Sequence, residues 1–149
     1  MTARLKTEKG TQLIEMAMLS PFLVALALGA TDFARAAYWS ITVANAARTG
    51  AQYAIQSESH SNKTALIQAA GQNDATDISG SVTVTTSRTC NCPGLTATTT
   101  CTPTPICSGG VSKEMYVTVT ATRAFTTLVD YPGLPHTVNL IRTAILRVQ

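Results

Sequence analysis

Charged and aromatic residues are scarce in this chain of 149 residues, at 13% and 5%, and there are only two histidines. The sequence contains no glycine-rich phosphate loop, no G-x-S-x-G elbow and no H-E-x-x-H motif. His60 and His136 are isolated from each other in the sequence. An enzyme active site is therefore not expected, and no cofactor is predicted.

Basic charge is also too sparse for a nucleic-acid surface. The net charge is +3, and residues 1–10 contain three basic side chains and one acidic side chain, so the rest of the chain carries only +1. Binding to phosphates needs clustered Lys and Arg side chains. No nucleic-acid partner is expected.

What the chain does contain is one long apolar segment near its start. Between residues 13 and 30 the only ionisable side chain is Glu15. At about 1.5 Å per residue, a helix over residues 11–31 is long enough to cross a lipid bilayer. Three basic residues precede the segment, and this excess of positive charge places the N-terminus in the cytoplasm and residues 32–149 outside.

Glu15 and the glycine ahead of it bear on how this segment is processed. A charge inside a membrane helix costs roughly 2.5–3.5 kcal/mol, so Glu15 needs a reason. A cleaved signal peptide and an uncleaved signal anchor both explain the hydrophobicity but not the acid. Cytoplasmic cleavage between Gly10 and Thr11 gives a role to both Gly10 and Glu15, and Glu15 then becomes the fifth residue of the mature protein. In a simpler interpretation, Glu15 only reaches the cytoplasmic headgroups.

Pro21 interrupts the hydrogen bonding of this helix. Proline has no N–H to offer the carbonyl of Ala17, and its ring crowds that carbonyl. Membrane helices tolerate such a residue when a neighbouring group covers the carbonyl. A bend or local unwinding is expected near Ala17.

The helical pattern continues beyond the membrane segment. No glycine or proline occurs between residues 31 and 48, and alanines recur at intervals of three or four from Ala30 to Ala54, with one gap. One helix over about residues 13–55 is predicted, in which residues 32–55 are the spine of an outer domain. The stripe of small side chains is expected to pack on this domain and on other subunits.

The rest of the outer domain is predicted to be a short helix and a sheet. The helix covers about residues 62–72, with Ser61 as its N-cap. Alternating Val and Thr predict three strands, at about residues 81–87, 114–125 and 138–148. The fold class is α+β, in which a long N-terminal transmembrane helix and a short second helix accompany a three-stranded antiparallel sheet.

Four cysteines lie in a Thr-, Pro- and Gly-rich connection over about residues 88–112, on the predicted outer side. They are Cys90, Cys92, Cys101 and Cys107. Two disulfides are the economical interpretation outside the cytoplasm. The first two cysteines are too close to bridge each other, and the order of pairing stays open. Zinc is the rival, but the C-x-C and C-x₅-C spacings do not suit it, so no metal is predicted.

The connection between the last two strands, at residues 125–135, is unusually apolar. Such a loop is either tucked under the sheet or presented to a partner. Because three strands and one helix leave edges to cover, tucking is favoured.

The order of these features resembles a known family. A basic leader that ends in Gly10, followed by Glu15 and a hydrophobic helix, looks like the prepilin-peptidase site of type IV pilins. The sequences at residues 15–23, 29–38 and 44–54 resemble the TadE-like family, pseudopilins of the tight-adherence (Flp) pilus system. Met16 departs from the aromatic residue that often follows the glutamate in that family.

The resemblance implies a minor pilin or pseudopilin with a pilin-like fold. Residues 1–10 would be a cytoplasmic leader removed by a prepilin peptidase, and the domain at residues 32–149 would be periplasmic, anchored in the bacterial inner membrane. Its partners would be other pilin or pseudopilin subunits, bound through the N-terminal helix, and the inner-membrane pilus assembly machinery. The mature protein would assist assembly, priming or tip formation of an extracellular pilus.

The resemblance also implies a role for Glu15 in assembly. Cleavage creates an α-amine at Thr11, and the Glu15 carboxylate of an adjacent subunit would neutralise it. Such a pair is far stronger in lipid than in water. The alternative function, from a different class, is a signal-anchored binding module that recognises a surface ligand through its Cys-rich loop.

Overall fold

A single helix of 51 residues, α1 (Arg4–Ala54), dominates the computed structural model. The structure describes residues 4–78, 80–94, 98–99, 101, 107 and 111–148. The other elements are α2 (Glu58–Ser61), α3 (Thr64–Asn73), β1 (Thr83–Asn91), β2 (Thr98–Thr99), β3 (Glu114–Thr126) and β4 (Thr137–Arg147). The predicted α+β class is confirmed, and α2 and the two-residue β2 are additions to it.

Helix α1 ends where the sequence predicts but begins earlier, at Arg4 instead of about residue 13. The leader contains Ala3, Arg4, Leu5, Lys6 and Glu8, all of which are good helix formers. The helix also continues without interruption through Pro21. The Ser20 hydroxyl donates to the Ala17 carbonyl at 3.2 Å, which replaces the missing proline N–H. Local unwinding is therefore not observed, and a bend stays a prediction.

The sheet is antiparallel, in the order β2-β1-β3-β4. The central strand β3 pairs with β4 along the whole length of β4, so Val119 lies between Thr86 of β1 and Ala144 of β4. Strand β1 is longer than predicted and reaches Cys90. This extension carries the sheet into the cysteine-containing connection.

The core lies between one face of the sheet and the outer half of α1. Alternate residues of β3 are buried there, as the sequence predicts: Met115, Val117, Val119 and Ala121. They meet small side chains of the helix: Ala46, Ala47, Ala51 and Ala54, all at most 1% exposed. The alanines near the C-terminal end of α1 therefore pack inside their own domain and are not available to other subunits. Ala30, Ala34 and Ala37 remain exposed.

Helix α3 packs against α1 at very short range, and Gly71 makes this possible. A Cβ atom at Gly71 would lie 2.8 Å from the Ala46 carbonyl oxygen. The predicted Ser61 cap is wrong, because Ser61 is the last residue of α2 and its hydroxyl donates to the Glu58 carbonyl at 2.7 Å. Lys63 occupies the N-cap position of α3 without a side-chain cap.

The strands run along α1, so one end of the sheet, here called the membrane end, lies next to the apolar segment of α1, and the other is the far end. At the far end, Cys90 lies opposite Met115, whose sulfur contacts the Ser61 hydroxyl just beyond α1. At the other end, Leu128, two residues after β3, bonds to Asp32 of α1. The stretch of helix from Asp32 to Ala54 separates the two ends by about 33 Å.

Candidate functional site

Gly10 and Glu15 both lie within α1, on its exposed surface. A Cβ atom at Gly10 would meet no atom within 4 Å. Glycine inside a helix costs about 1 kcal/mol relative to alanine. Packing within this chain therefore provides no reason for glycine at this position.

Thr11 and Glu15 are four residues apart in the helix and share one face, separated by about 6 Å of rise. The arrangement places the Glu15 side chain one turn after Thr11, at the start of the apolar segment.

The helix from Gly10 onward is long and apolar enough to cross a membrane. Large apolar side chains between residues 13 and 26 are exposed: Leu13, Ile14, Met16, Met18, Leu19, Phe22, Leu23, Val24 and Leu26. None of them packs into the core of the outer domain. The segment fits a single-pass membrane anchor.

Asp32 lies directly after this segment and is only 5% exposed. Its two carboxylate oxygens accept hydrogen bonds from the backbone N–H of Leu128 at 3.1 and 3.0 Å. The hydroxyl of Tyr131 donates to the same carboxylate at 3.1 Å, and Arg35 forms an ion pair with it at 3.0 Å. A buried charge needs such partners. Asp32 therefore fastens the connection between β3 and β4 to the helix.

This connection, residues 127–136, is here called the proximal loop, and it has its own internal order. Thr127 and His136 close it, with the Thr127 N–H donating to the His136 carbonyl at 3.1 Å. At its tip the Leu134 N–H donates to the Tyr131 carbonyl at 3.1 Å, and Gly133 has a φ of +83°. Proline at the second position and glycine at the third are typical of a type II turn.

The environment of Tyr131 raises the pKa of its phenol above the ordinary 10.0. Desolvation at the loop is the main cause, and the hydrogen bond to Asp32 and the negative charge of that carboxylate add to it. Tyr131 therefore stays neutral and keeps donating to Asp32 at ordinary pH.

Aromatic and cationic side chains of α1 and β3 form a cluster near Asp32. Trp39 and Phe125 meet edge to face, with their ring centroids 5.3 Å apart. The guanidinium groups of Arg35 and Arg123 lie over the Trp39 ring at 5.5 and 4.9 Å. Cation–π contacts of this kind stabilise partly buried arginines. The cluster joins β3 to α1 close to Asp32.

The apolar side chains of the proximal loop are not tucked under the sheet, in contrast to the prediction from the sequence. Phe125, at the end of β3, is buried, but Leu128 is 54% and Leu134 66% exposed. The loop backbone is held against the side of α1 by hydrogen bonds to Asp32.

At the far end, two disulfides join Cys90 to Cys101 and Cys92 to Cys107, with Cα–Cα distances of 5.3 and 5.6 Å. Pairing of β2 with β1 sets Thr99 opposite Cys90, which brings Cys101 beside it. This selects one of the two orders that the sequence leaves open. All four cysteines are oxidised, so the zinc interpretation lacks its thiolate ligands.

The membrane helix and its continuation match a known protein family. Residues 10–52 match the TadE-like protein family. The match begins at Gly10, includes Glu15 and Asp32, and ends near the end of α1. It confirms the resemblance seen in the sequence over this helix. No curated protein and no solved structure matches the chain.

The TadE-like match associates the chain with Tad/Flp pilus systems, and this family is not known for enzymatic activity. Among the sites predicted from sequence, Gly10, Thr11, Glu15 and Pro21 all lie in α1, at the beginning of the stretch that matches the TadE-like family. The cysteines form a separate group at the far end of the sheet.

Sequence reasoning missed the role of Asp32 in the TadE-like helix. The available signals were an acid immediately after the apolar run and an arginine three residues later. That spacing predicts the Asp32–Arg35 pair on one helix face. The partners from the proximal loop are almost one hundred residues away and have no local signal.

Proposed function

We propose that this protein is a minor pilin or pseudopilin that a prepilin peptidase processes between Gly10 and Thr11. The observation that carries the proposal is the pair of Gly10 and Glu15 at the start of an exposed apolar helix, where packing accounts for neither residue. The TadE-like match beginning at Gly10 supports it. The protein then acts in assembly, priming or tip formation of a tight-adherence pilus.

The leader at residues 1–10 is cytoplasmic in this proposal, and residues 32–149 are periplasmic. The basic leader and the apolar segment after it support this orientation in the inner membrane. Other pilin subunits and the inner-membrane assembly machinery then meet the N-terminal helix from within or beside the bilayer.

The scissile bond lies inside a helix in the uncleaved chain. A peptidase needs an accessible, locally extended backbone, so the helix has to open around Gly10 before cleavage. Glycine lowers the cost of that opening, because it is about 1 kcal/mol less favourable in a helix than alanine. The leader then separates, and α1 begins at Thr11.

Glu15 acts in the next step, when subunits associate. In lipid, an unpaired carboxylate is costly, and the amine of a neighbouring Thr11 removes that cost. The pairing therefore favours the assembled state over the isolated subunit.

The intact mass of protein purified from its own host tests the processing step. A mature protein that starts at Thr11 is expected. A start at Met1 would identify an uncleaved anchor, and a start near Ala30 would identify a secretory signal peptide. Either of these results would contradict the proposal.

Gly10→Val is expected to block cleavage, because a branched side chain obstructs the peptidase site. The matched control is Gly29→Val in the same helix, where an added Cβ atom also meets nothing within 4 Å. The control should be cleaved normally. Equal processing of both variants would show that Gly10 is not the recognised glycine.

Glu15→Gln separates processing from assembly, because it keeps the size of the side chain and removes its charge. Cleavage should remain largely intact while pilus formation, counted by electron microscopy, falls. Glu58→Gln, at an exposed acid of the outer domain, is the control. Normal pili in the Glu15→Gln strain would refute the charge pairing.

The second candidate is an anchored module that binds a surface ligand through its cysteine-containing connection. The position of Cys90 and Cys92 at the end farthest from the membrane segment favours it. This candidate predicts a chain that starts at Met1 and is indifferent to Gly10→Val.

A further inference from the structure

We propose that the proximal loop is a second membrane contact, which lies in the outer headgroup layer beside the point where α1 leaves the bilayer. The proposal rests on the membrane placement of residues 11–31 given above. The proposed partner of the loop is a lipid surface. The proposal thereby assigns a role to a loop that takes no part in the processing site.

The height of the loop along α1 is the first argument. A cleft of about 310 Å³ separates the loop from the helix, and its walls include Gly29 and Ala36 on the helix side and Tyr131 and Leu134 on the loop side. The predicted span ends at residue 31, between these two helical positions. From residue 13 to Asp32 the helix rises about 29 Å, close to the hydrocarbon thickness of a bilayer. The loop therefore straddles the outer boundary of the membrane.

The chemistry of the exposed side chains is the second argument. Leu128, Val129 and Leu134 are 54%, 39% and 66% exposed, and all three belong to the proximal loop. A cluster of large apolar side chains on a soluble surface marks a contact with something else. Beside them is Tyr131, a residue type enriched at membrane–water interfaces. Lipid at the same height covers this cluster without any rearrangement of the protein.

The Asp32 carboxylate is the third argument. An acid at the edge of the hydrocarbon layer is unfavourable unless it is paired. The loop supplies the Leu128 N–H and the Tyr131 hydroxyl to it, and Arg35 supplies a charge. These partners cover the Asp32 carboxylate, while the apolar side chains of the loop remain exposed. The loop is thereby ordered before it meets lipid, which lowers the entropic cost of the contact.

The contact has a structural consequence. A single helix allows the outer domain to tilt and rotate about one point, whereas a helix and a loop at the same surface restrain both motions. Apolar groups of peripheral segments enter the interface by about 5–10 Å. The domain is thus held in one orientation, with its disulfides directed away from the membrane.

Tryptophan fluorescence of the full chain in vesicles tests the proposal. Leu134→Trp and Ile145→Trp start from similarly exposed side chains, at 66% and 62%, so neither substitution perturbs the core. Ile145 lies near the far end of β4, about 26 Å along the strand from Thr137. The vesicles contain phosphatidylcholine and phosphatidylglycerol, and some of the lipids are brominated near the glycerol end of the acyl chain. The signal of Trp39, the single natural tryptophan, is subtracted using the unmodified protein.

The expected result for Leu134→Trp is loss of most of the added emission in brominated vesicles, with a blue-shifted maximum. The added emission of Ile145→Trp should not be quenched. An unquenched indole at position 134 overturns the proposal, whether that side chain lies in water or is covered by a second copy of the chain.

A third variant, Leu23→Trp, separates this proposal from the membrane placement of the helix. Its added tryptophan lies in the apolar segment and is read with lipids brominated deep in the chain. If the indole at position 23 is quenched and the one at position 134 is not, the loop contact alone fails. If neither is quenched, the membrane placement of the helix fails as well.

Discussion

The two ends of the sheet are held by different means. At the far end, two disulfides close a polar, Thr-rich connection; at the membrane end, hydrogen bonds to one carboxylate hold an apolar loop. A disulfide restricts the unfolded chain, whereas a hydrogen bond to Asp32 acts only while the loop is docked. The far end is therefore expected to open only with the whole domain, and the membrane end to open by itself.

The largest effect is expected at the far end. Replacing Cys90 and Cys101 by alanine removes a cross-link between residues 11 positions apart and should lower the free energy of unfolding by about 3 kcal/mol. Denaturant unfolding of the full chain in detergent measures it. The pair Cys92→Ala and Cys107→Ala is the matched comparison: it removes a cross-link between residues 15 positions apart and should also cost about 3 kcal/mol. If amide protection in the proximal loop falls equally, the two ends are not independent.

Asp32→Ala is the corresponding change at the membrane end. It removes the acceptor for Leu128 and Tyr131 and should weaken docking of the loop by about 2 kcal/mol. Hydrogen exchange of the Thr127 and Leu134 amides should accelerate roughly 30-fold and depend only weakly on denaturant, as expected for a local opening. Asp77→Ala, which removes an exposed acceptor of the Tyr38 hydroxyl, is the control and should leave both amides unchanged. Exchange of these amides with a denaturant dependence as steep as that of global unfolding would contradict separate opening.

Two glycines with the same backbone conformation, one at each end, allow the two ends to be compared by the same substitution. Gly94 and Gly133 have φ of +82° and +83°, and a Cβ atom meets nothing at either position. Alanine at each should introduce strain of about 1 kcal/mol. At Gly133 the loop can relieve the strain by undocking, so exchange of Leu134 should accelerate. At Gly94 the disulfides prevent local release, and the cost should appear in global unfolding. The reverse pattern would refute the distinction.

The smallest effect concerns pH. The pKa of Tyr131 is raised by desolvation and by Asp32, so the unfolded phenol ionises before the folded one. The contribution of Tyr131 to docking is thus complete below pH 10 and is lost as the pH rises through the folded pKa. The ultraviolet titration curve of the Tyr131→Phe variant is subtracted from that of the unmodified protein. The difference should show a phenol with a pKa above 10.0. In the Asp32→Asn variant the midpoint should move back toward 10.0; an unmoved midpoint would remove Asp32 as a cause.

Much of the architecture follows from local patterns. The apolar run, the alanine spacing and the Val/Thr alternation predict α1, the second helix and the three long strands, because helical and strand periods differ. The start of α1 and the cap at Ser61 are exceptions. Helix-forming residues extend α1 to Arg4, and the contact of Ser61 with Met115 places that serine inside the fold instead of at a helix start.

The sequence by itself determined the apolar helix, the position of Gly10 and Glu15 at its start, and the expectation that the four cysteines are oxidised to disulfides. These depend on composition and short spacings, which the chain carries before it folds. Only the tertiary structure decided the pairing of Cys90 with Cys101, the burial of the alanines near the C-terminal end of α1, and the joining of Asp32 to Leu128 and Tyr131. Each of these needs two segments distant in sequence to meet at one place, and the register of the sheet against α1 sets that place.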